Sequence, residues 1–288
     1  MNRSSVIRRA AGAAVVLLGL TAAQGSAAIV TQWTFENYST TAATLTNSPT
    51  PSTGTGTAGS IGMDGYPTPN PGVTTDDVLQ GVAGDTGLNG NADTTNIFRV
   101  RAQAGTAGPA NGWSSTAPIG AQGAQFFAST VGYNAINVSF DWYATNKGEA
   151  NLQLEYTNDG TTWINVPIAL SGSDADLLVL NNSTSTNTVM GSYVSGSAGQ
   201  NWFTGLAATI TDPLAANNPN FGIEMVNAST GADDVAIAGG ALNNTSGNWR
   251  FDNVTINGTA VPTPEPASLG LIGVAGLTLL SRRRKMAC

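Results

Sequence analysis

The chain has 288 residues, a net charge of −7, no histidine and one cysteine, Cys288, the last residue. Histidine-based triads, a thiolate nucleophile within the body, internal disulfides and histidine or cysteine zinc sites are therefore excluded. Seven of the eleven basic residues lie near the ends, which leaves residues 29–264 with four cations against seventeen carboxylates, a net charge of −13. A body of that sign offers no footprint for nucleic acid or an anionic membrane surface, and favours solubility and capture of cations.

In chain order, Arg3, Arg8 and Arg9 precede the apolar run Ala10–Leu20, and small residues gather at Gly25-Ser26-Ala27-Ala28. This is the layout of a secretory signal peptide over residues 1–28, with cleavage after Ala28, give or take two residues. The pair Arg8-Arg9 also suits a twin-arginine route, but the rest of that motif is absent. Ile29–Glu36 alternates as a strand. Twelve of the twenty-two residues from Ser39 to Ser60 are then Ser or Thr. Gly and Pro continue through Tyr66–Gly72, so residues 39–75 read as a low-complexity loop, a candidate for O-linked sugars.

From Asn96 the pattern is β. Ile97–Val100 and Ala124–Thr130 are short strands. In Ala135–Thr145, Ile136, Val138, Phe140 and Trp142 share one face, and Asn137, Ser139, Asp141 and Tyr143 the other. Leu152, Leu154 and Tyr156 alternate likewise. Asn158-Asp159-Gly160 then turns the chain into Trp163–Val166, giving a hairpin with glycine where positive φ is needed. Further strands are expected at Leu206–Thr211, Phe221–Val226 and Trp249–Ile256. No sustained helical periodicity occurs in the body. The fold expected for residues 29–260 is therefore mainly β, a single antiparallel β-sandwich of jelly-roll type.

The tail, residues 261–288, differs in kind. Pro262, Pro264 and Pro266 form an extended spacer. An uncharged apolar run occupies 267–281, with a basic stop of Arg282, Arg283, Arg284 and Lys285. Its core of fourteen residues, Ala267–Leu280, would span about 21 Å as a helix, short of the roughly 30 Å hydrocarbon layer. Snorkelling cations narrow the gap. The expectation is a short C-terminal transmembrane helix with its basic end in the cytoplasm and the body outside.

Pro264-Glu265-Pro266, an apolar run and an arginine-rich end resemble the PEP-CTERM sorting signal; the same tail pattern is also catalogued as an ice-binding protein C-terminal motif. The resemblance implies an exosortase substrate. It would be an inner-membrane-anchored precursor, cut near Pro264-Glu265-Pro266 and passed to the cell surface or extracellular matrix of a biofilm-forming bacterium. In the body, VSFDWYA, LQLEYTNDGTTW, NNPNFGIEMV and NWRFDNVTING resemble β-sandwich ectodomains carried by such proteins.

Candidate sites follow from residue type. Glu36, ending the first strand, and Asp252, in the last, supply the hard oxygen ligands of a structural Ca²⁺; the alternative is that Asp252 pairs with Arg250 or caps a turn. Asp76-Asp77 and Asp233-Asp234 read as solvated turn residues. Trp142 belongs to the core, whereas Trp113 and Trp202, in polar surroundings, are the candidates for stacking on a sugar ring. The sequons at Asn137, Asn227, Asn253 and Asn257 are accounted for by the abundance of Asn, Ser and Thr.

No carboxylate pair stands out as catalytic, so the chain is expected not to be an enzyme. The expected role is structural or adhesive, at the envelope or in a biofilm. Its expected partners are exosortase during sorting and extracellular polysaccharide afterwards. A carbohydrate-binding module, with exposed aromatics on one sheet face, is the alternative. A secreted glycoside hydrolase, with two carboxylates facing across a cleft, is the third reading.

Overall fold

In the computed structural model the described residues are 26–38, 44–45, 48–62, 77–80, 96–101, 112–169, 179–180, 188–190, 202–239, 242 and 247–262. The expected signal helix and apolar tail helix lie outside them. Among the described residues no helix is long and apolar enough to cross a membrane. Residues 26–261 form one compact unit.

That unit is built from antiparallel strands in two sheets. The first sheet holds β1 (Ala27–Trp33), β2 (Thr44–Leu45), β4 (Asp77–Gln80), β5 (Asn96–Arg101), β7 (Tyr133–Ala144), β12 (Trp202–Thr209) and β14 (Asn248–Ala260). The second holds β3 (Thr57–Ile61), β6 (Gly123–Phe127), β8 (Asn151–Thr157), β9 (Trp163–Val166), β10 (Val179–Leu180), β11 (Thr188–Met190) and β13 (Gly222–Asn227). The first runs β12-β7-β14-β5-β4-β2, and the second β10-β11-β8-β13-β6-β3. β14 is long enough to take two neighbours on one edge: β5 pairs with Asn248–Phe251, and β1 with Val254–Thr259. β8 does the same in the second sheet with β9 and β11.

The alternation in β7 explains why the sheets stack. Ile136, Val138, Phe140 and Trp142 are all buried in the main core, as period-2 burial requires. Rings from both sheets meet there: Phe126 of β6 lies 5.1 Å from Trp33 of β1 and 6.4 Å from Phe251 of β14, edge to face. The predicted hairpin is present, with Trp163–Val166 returning along Thr157–Leu154 and Gly160 at φ +78°. The first sheet also carries a bulge between Asp252 and Thr255, where Asn253 takes φ +50°.

Three boundaries differ from the sequence expectation. β1 starts at Ala27, so Ala27 and Ala28 already pair with Thr259 and Gly258. β14 continues to Ala260, because its second half is needed by β1. Within residues 39–75, Thr57–Ile61 is a strand on the edge of the second sheet, paired along β6. Its composition hid it: one small buried residue, Ala58, suffices to anchor an edge strand.

Candidate functional site

The two ends of the folded unit lie together. Ala27 is opposite Thr259, Ala260 donates its N–H to the Ser26 carbonyl (3.2 Å), and Val261 donates to the Gly132 carbonyl (2.8 Å). Ser26 and Val261, the two ends of the compact unit, are thus held by neighbouring backbone hydrogen bonds. The tail residues singled out from sequence (Pro264, Glu265, Pro266, Arg282, Arg283, Arg284 and Lys285) lie outside the described residues, as do residues 1–25 of the expected signal peptide 1–28, whose last two residues, Ala27 and Ala28, open β1.

Trp113 is a correction. It is fully buried, its ring 4.5 Å from that of Trp249, and it cannot serve as an exposed sugar platform. The polar residues around it turn the chain inward. The Gln122 side chain accepts from the Ser114 N–H (3.0 Å) and donates to the Gly112 carbonyl. It thereby grips the backbone on both sides of the indole. Trp202 opens β12 opposite Tyr143, and its side chain lies outside the described residues. Trp142 is in the core as expected, stacked on Phe203 at 5.2 Å.

Glu36 is exposed and accepts the N–H of Asn96 through Oε1 (2.7 Å), tying the exit of β1 to the start of β5. Asp252 is buried opposite Asp141 and accepts from the Asn253 N–H (2.7 Å) and side-chain amide (3.1 Å). It thus caps the bulge, the turn-capping alternative of the sequence reading. Among the described residues no group of three or more Asp, Glu, His or Cys is arranged to hold a metal ion.

Sequence reasoning missed three groupings. On the outer face of the first sheet, Arg99, Arg250 and Tyr143 follow one another across β5, β14 and β7, with the Arg250 guanidinium 4.7 Å above the Tyr143 ring, and Asp77 of β4 pairs in register with Arg99. The i, i+2 spacing of Arg99 and Arg101 was a readable signal for an outward cationic face. Under the loop before β8, Glu149 and Asp234 are buried together, with Ser229 Oγ 3.3 Å from Glu149 Oε1 and from Asp234 Oδ1. Asp234 therefore belongs to a buried pair and is not the solvated turn residue expected. Burial, reinforced by Asp234, pushes the Glu149 carboxyl well above its usual range.

The third grouping crosses the outer face of the second sheet. Gln125, Glu224, Glu155 and Asn165 are successive partners across β6, β13, β8 and β9. Burial, then the neighbouring Glu155, raise the Glu224 carboxyl to about 9. One step along, Phe127, Gly222, Thr157 and Trp163 form the next row. The absence of a Cβ at Gly222 lets Phe127 lie over it, since an added Cβ would fall 2.5 Å from Phe127 Cδ1. The Phe127 and Trp163 rings are 5.8 Å apart and half-buried. At the end of this sheet a depression of about 440 Å³ opens beside Phe127, between the start of β3, the β8–β9 turn and the start of β13.

No curated protein sequence matches the chain. A solved structure described as the structural analysis of an exo-beta-agarase aligns with 82% of this chain at 12% identity and a TM-score of 0.30. The chain spans about a quarter, 26%, of that structure's length, and a likeness at this level decides nothing about function. Residues 262–285 match the PEP-CTERM protein-sorting motif, the signal of exported proteins that are processed by an exosortase from a membrane-anchored precursor and sorted to the cell surface.

Proposed function

We propose that the chain is a surface or matrix protein whose β-sandwich plays a structural or adhesive role at the envelope after its tail has been processed. The observation that carries this reading is the position of the sorting motif directly after a strand that closes the fold. β14 ends at Ala260 and the motif begins at residue 262. A cut near Pro264-Glu265-Pro266 would release every strand of the sandwich intact, so the body is a cargo that survives its own sorting. The partner after release is extracellular polysaccharide, which an acidic, Ser-, Thr- and Asn-rich surface without disulfides would meet outside the cell.

Two close carboxyl pairs among the described residues are taken up within the fold. Glu149 and Asp234 are buried against each other, and Glu155 and Glu224 lie in direct contact across paired strands. Neither pair leaves the roughly 5–9 Å opening that a glycosidic bond and its water require. The carbohydrate-binding alternative keeps one favourable feature, the half-buried Phe127–Trp163 pair.

The test is a native strain lacking this chain, compared with one complemented by it. A structural or adhesive protein is recovered with the extracellular polysaccharide fraction, and its loss weakens cell–cell cohesion. Recovery only as a freely soluble secreted protein, with cohesion unchanged in its absence, would contradict the role.

A further inference from the structure

We propose that the depression at the end of the second sheet is a binding site for one or two residues of an uncharged glycan. This deepens the structural or adhesive reading by naming the class of polymer that the body would grip. The cavity, at about 440 Å³, falls within the range of roughly 300–1,000 Å³ usual for small-ligand clefts. Its apolar wall is the ring of Phe127, half-buried and backed by Gly222. Around that wall stand the exposed polar side chains Thr55, Thr57, Ser129, Asp159 and Asn220. A pyranose presents one face of C–H groups and a rim of hydroxyls. The first suits an aromatic ring, and the second suits hydroxyl, amide and carboxylate partners.

The polar groups are available. Ser129 Oγ accepts only the N–H of Val131 (3.3 Å), and Asn220 uses its backbone N–H, not its side chain, in its bond to Asn218. The side-chain hydroxyls of Thr55 and Thr57 enter no hydrogen bond among the described residues. Asp159 is held by the turn: Oδ1 accepts from the Thr161 and Thr162 N–H groups (2.8 and 2.7 Å) and from two threonine hydroxyls. Those donors keep it ionised and point the carboxylate at a fixed place, which is what a hydroxyl-directing acceptor needs. The tip beside it, Gly160, has nothing within 4 Å of where a Cβ would stand, so the rim there is unobstructed.

Charge selects the ligand. No Lys or Arg lines the depression, and a carboxylate does. The body around it has a formal charge of −13 and stays strongly negative with Glu224 and one of the Glu149–Asp234 pair protonated. A uronic-acid or sulfated polymer would be repelled at close range with no cation to receive it, so the class that fits is neutral.

The experiment uses the full chain in a mild detergent, titrated calorimetrically with neutral hexose oligosaccharides of several linkages and with oligouronates. Saturable binding of at least one neutral oligosaccharide is expected, with none for the oligouronates. Phe127→Ala should weaken it by about tenfold or more, as loss of a central aromatic anchor does. Asn220→Ala, at an exposed position, should weaken it several-fold with the unfolding midpoint unchanged, so that a folding defect in the first variant does not blur the result. No binding of any neutral oligosaccharide by the folded chain, binding indifferent to both substitutions, or tighter binding of oligouronates would each overturn the site. Such a failure, with the chain still found in the matrix and cohesion still dependent on it, would leave the adhesive role standing on another surface. Sugar binding without matrix recovery would do the reverse.

Discussion

Glu149 and Asp234 share one buried hydroxyl: Ser229 Oγ lies 3.3 Å from a carboxylate oxygen of each, and Asn151 donates to the same Oγ at 2.7 Å. Their second oxygens, Glu149 Oε2 and Asp234 Oδ2, meet no hydrogen-bond donor among the described residues. Two carboxylates cannot both stay ionised in such a place, so the fold retains a proton there. Glu224, beside Glu155, repeats the arrangement on the second sheet.

Stability should therefore fall as pH rises. Glu224 has its pKa raised from 4.5 to about 9, so between those values the folded chain holds a proton that the unfolded chain has lost. The folded state binds more protons, and each step up in pH through that window favours unfolding. The raised pKa of Glu149 acts in the same direction. Denaturant midpoints should drop steadily from pH 5 to pH 9. Glu224→Gln, which keeps a donor facing Glu155 at every pH, should flatten the curve. A midpoint that stays level or climbs toward pH 9 would refute the shared-proton account.

Trp249 is the residue on which most of the core turns. Its ring meets Trp113 at 4.5 Å, Trp142 at 5.5 Å and Phe251 at 6.1 Å, and its Nε1 donates to the Glu149 carbonyl at 2.8 Å. Trp249→Ala should cost about 3–5 kcal/mol, lowering the melting temperature by roughly 6–20 °C in a body of this size. Trp163→Ala, at a half-buried outer position, should cost distinctly less. Thermal unfolding followed by circular dichroism gives both numbers, and an equal loss for the two would misplace the core.

Gly222→Ala tests the outer face without touching the core. The new methyl would sit 2.5 Å from Phe127 Cδ1, so the ring has to swing away. The expected outcome is a modest loss of stability, about 1–3 kcal/mol as for other overpacked sites, with a change in Trp163 emission as its neighbour moves. Gly160→Ala meets no atom within 4 Å, but must hold φ +78°. It should cost about 1 kcal/mol and leave that emission alone.

The frame of this fold was legible because strands with one buried face announce themselves. Ile136, Val138, Phe140 and Trp142 alternate with polar residues, and the structure buries all four. Asn158-Asp159-Gly160 named the hairpin for the same reason, a local conformation only glycine enters cheaply. What stayed hidden depends on contacts between distant segments. Thr57–Ile61 carries no hydrophobic pattern and is a strand only because β6 pairs with it. Trp113 sits among Gly, Asn and Ser, and reads as exposed until Gln122, nine residues on, is seen to grip its backbone. The carboxyl pairs were equally invisible: Glu149 and Asp234 are far apart in sequence, and meet because the segment around residue 149 bridges to Ala236.

Sorting is the central claim, and intact mass of the protein recovered from outside the inner membrane of its native cell tests it most directly. The account predicts a chain that begins between residues 27 and 31 and ends near Pro264-Glu265-Pro266, with all of β14 retained. A protein that keeps Arg282 to Cys288 and stays in the inner membrane would contradict it, and would make the tail a permanent anchor.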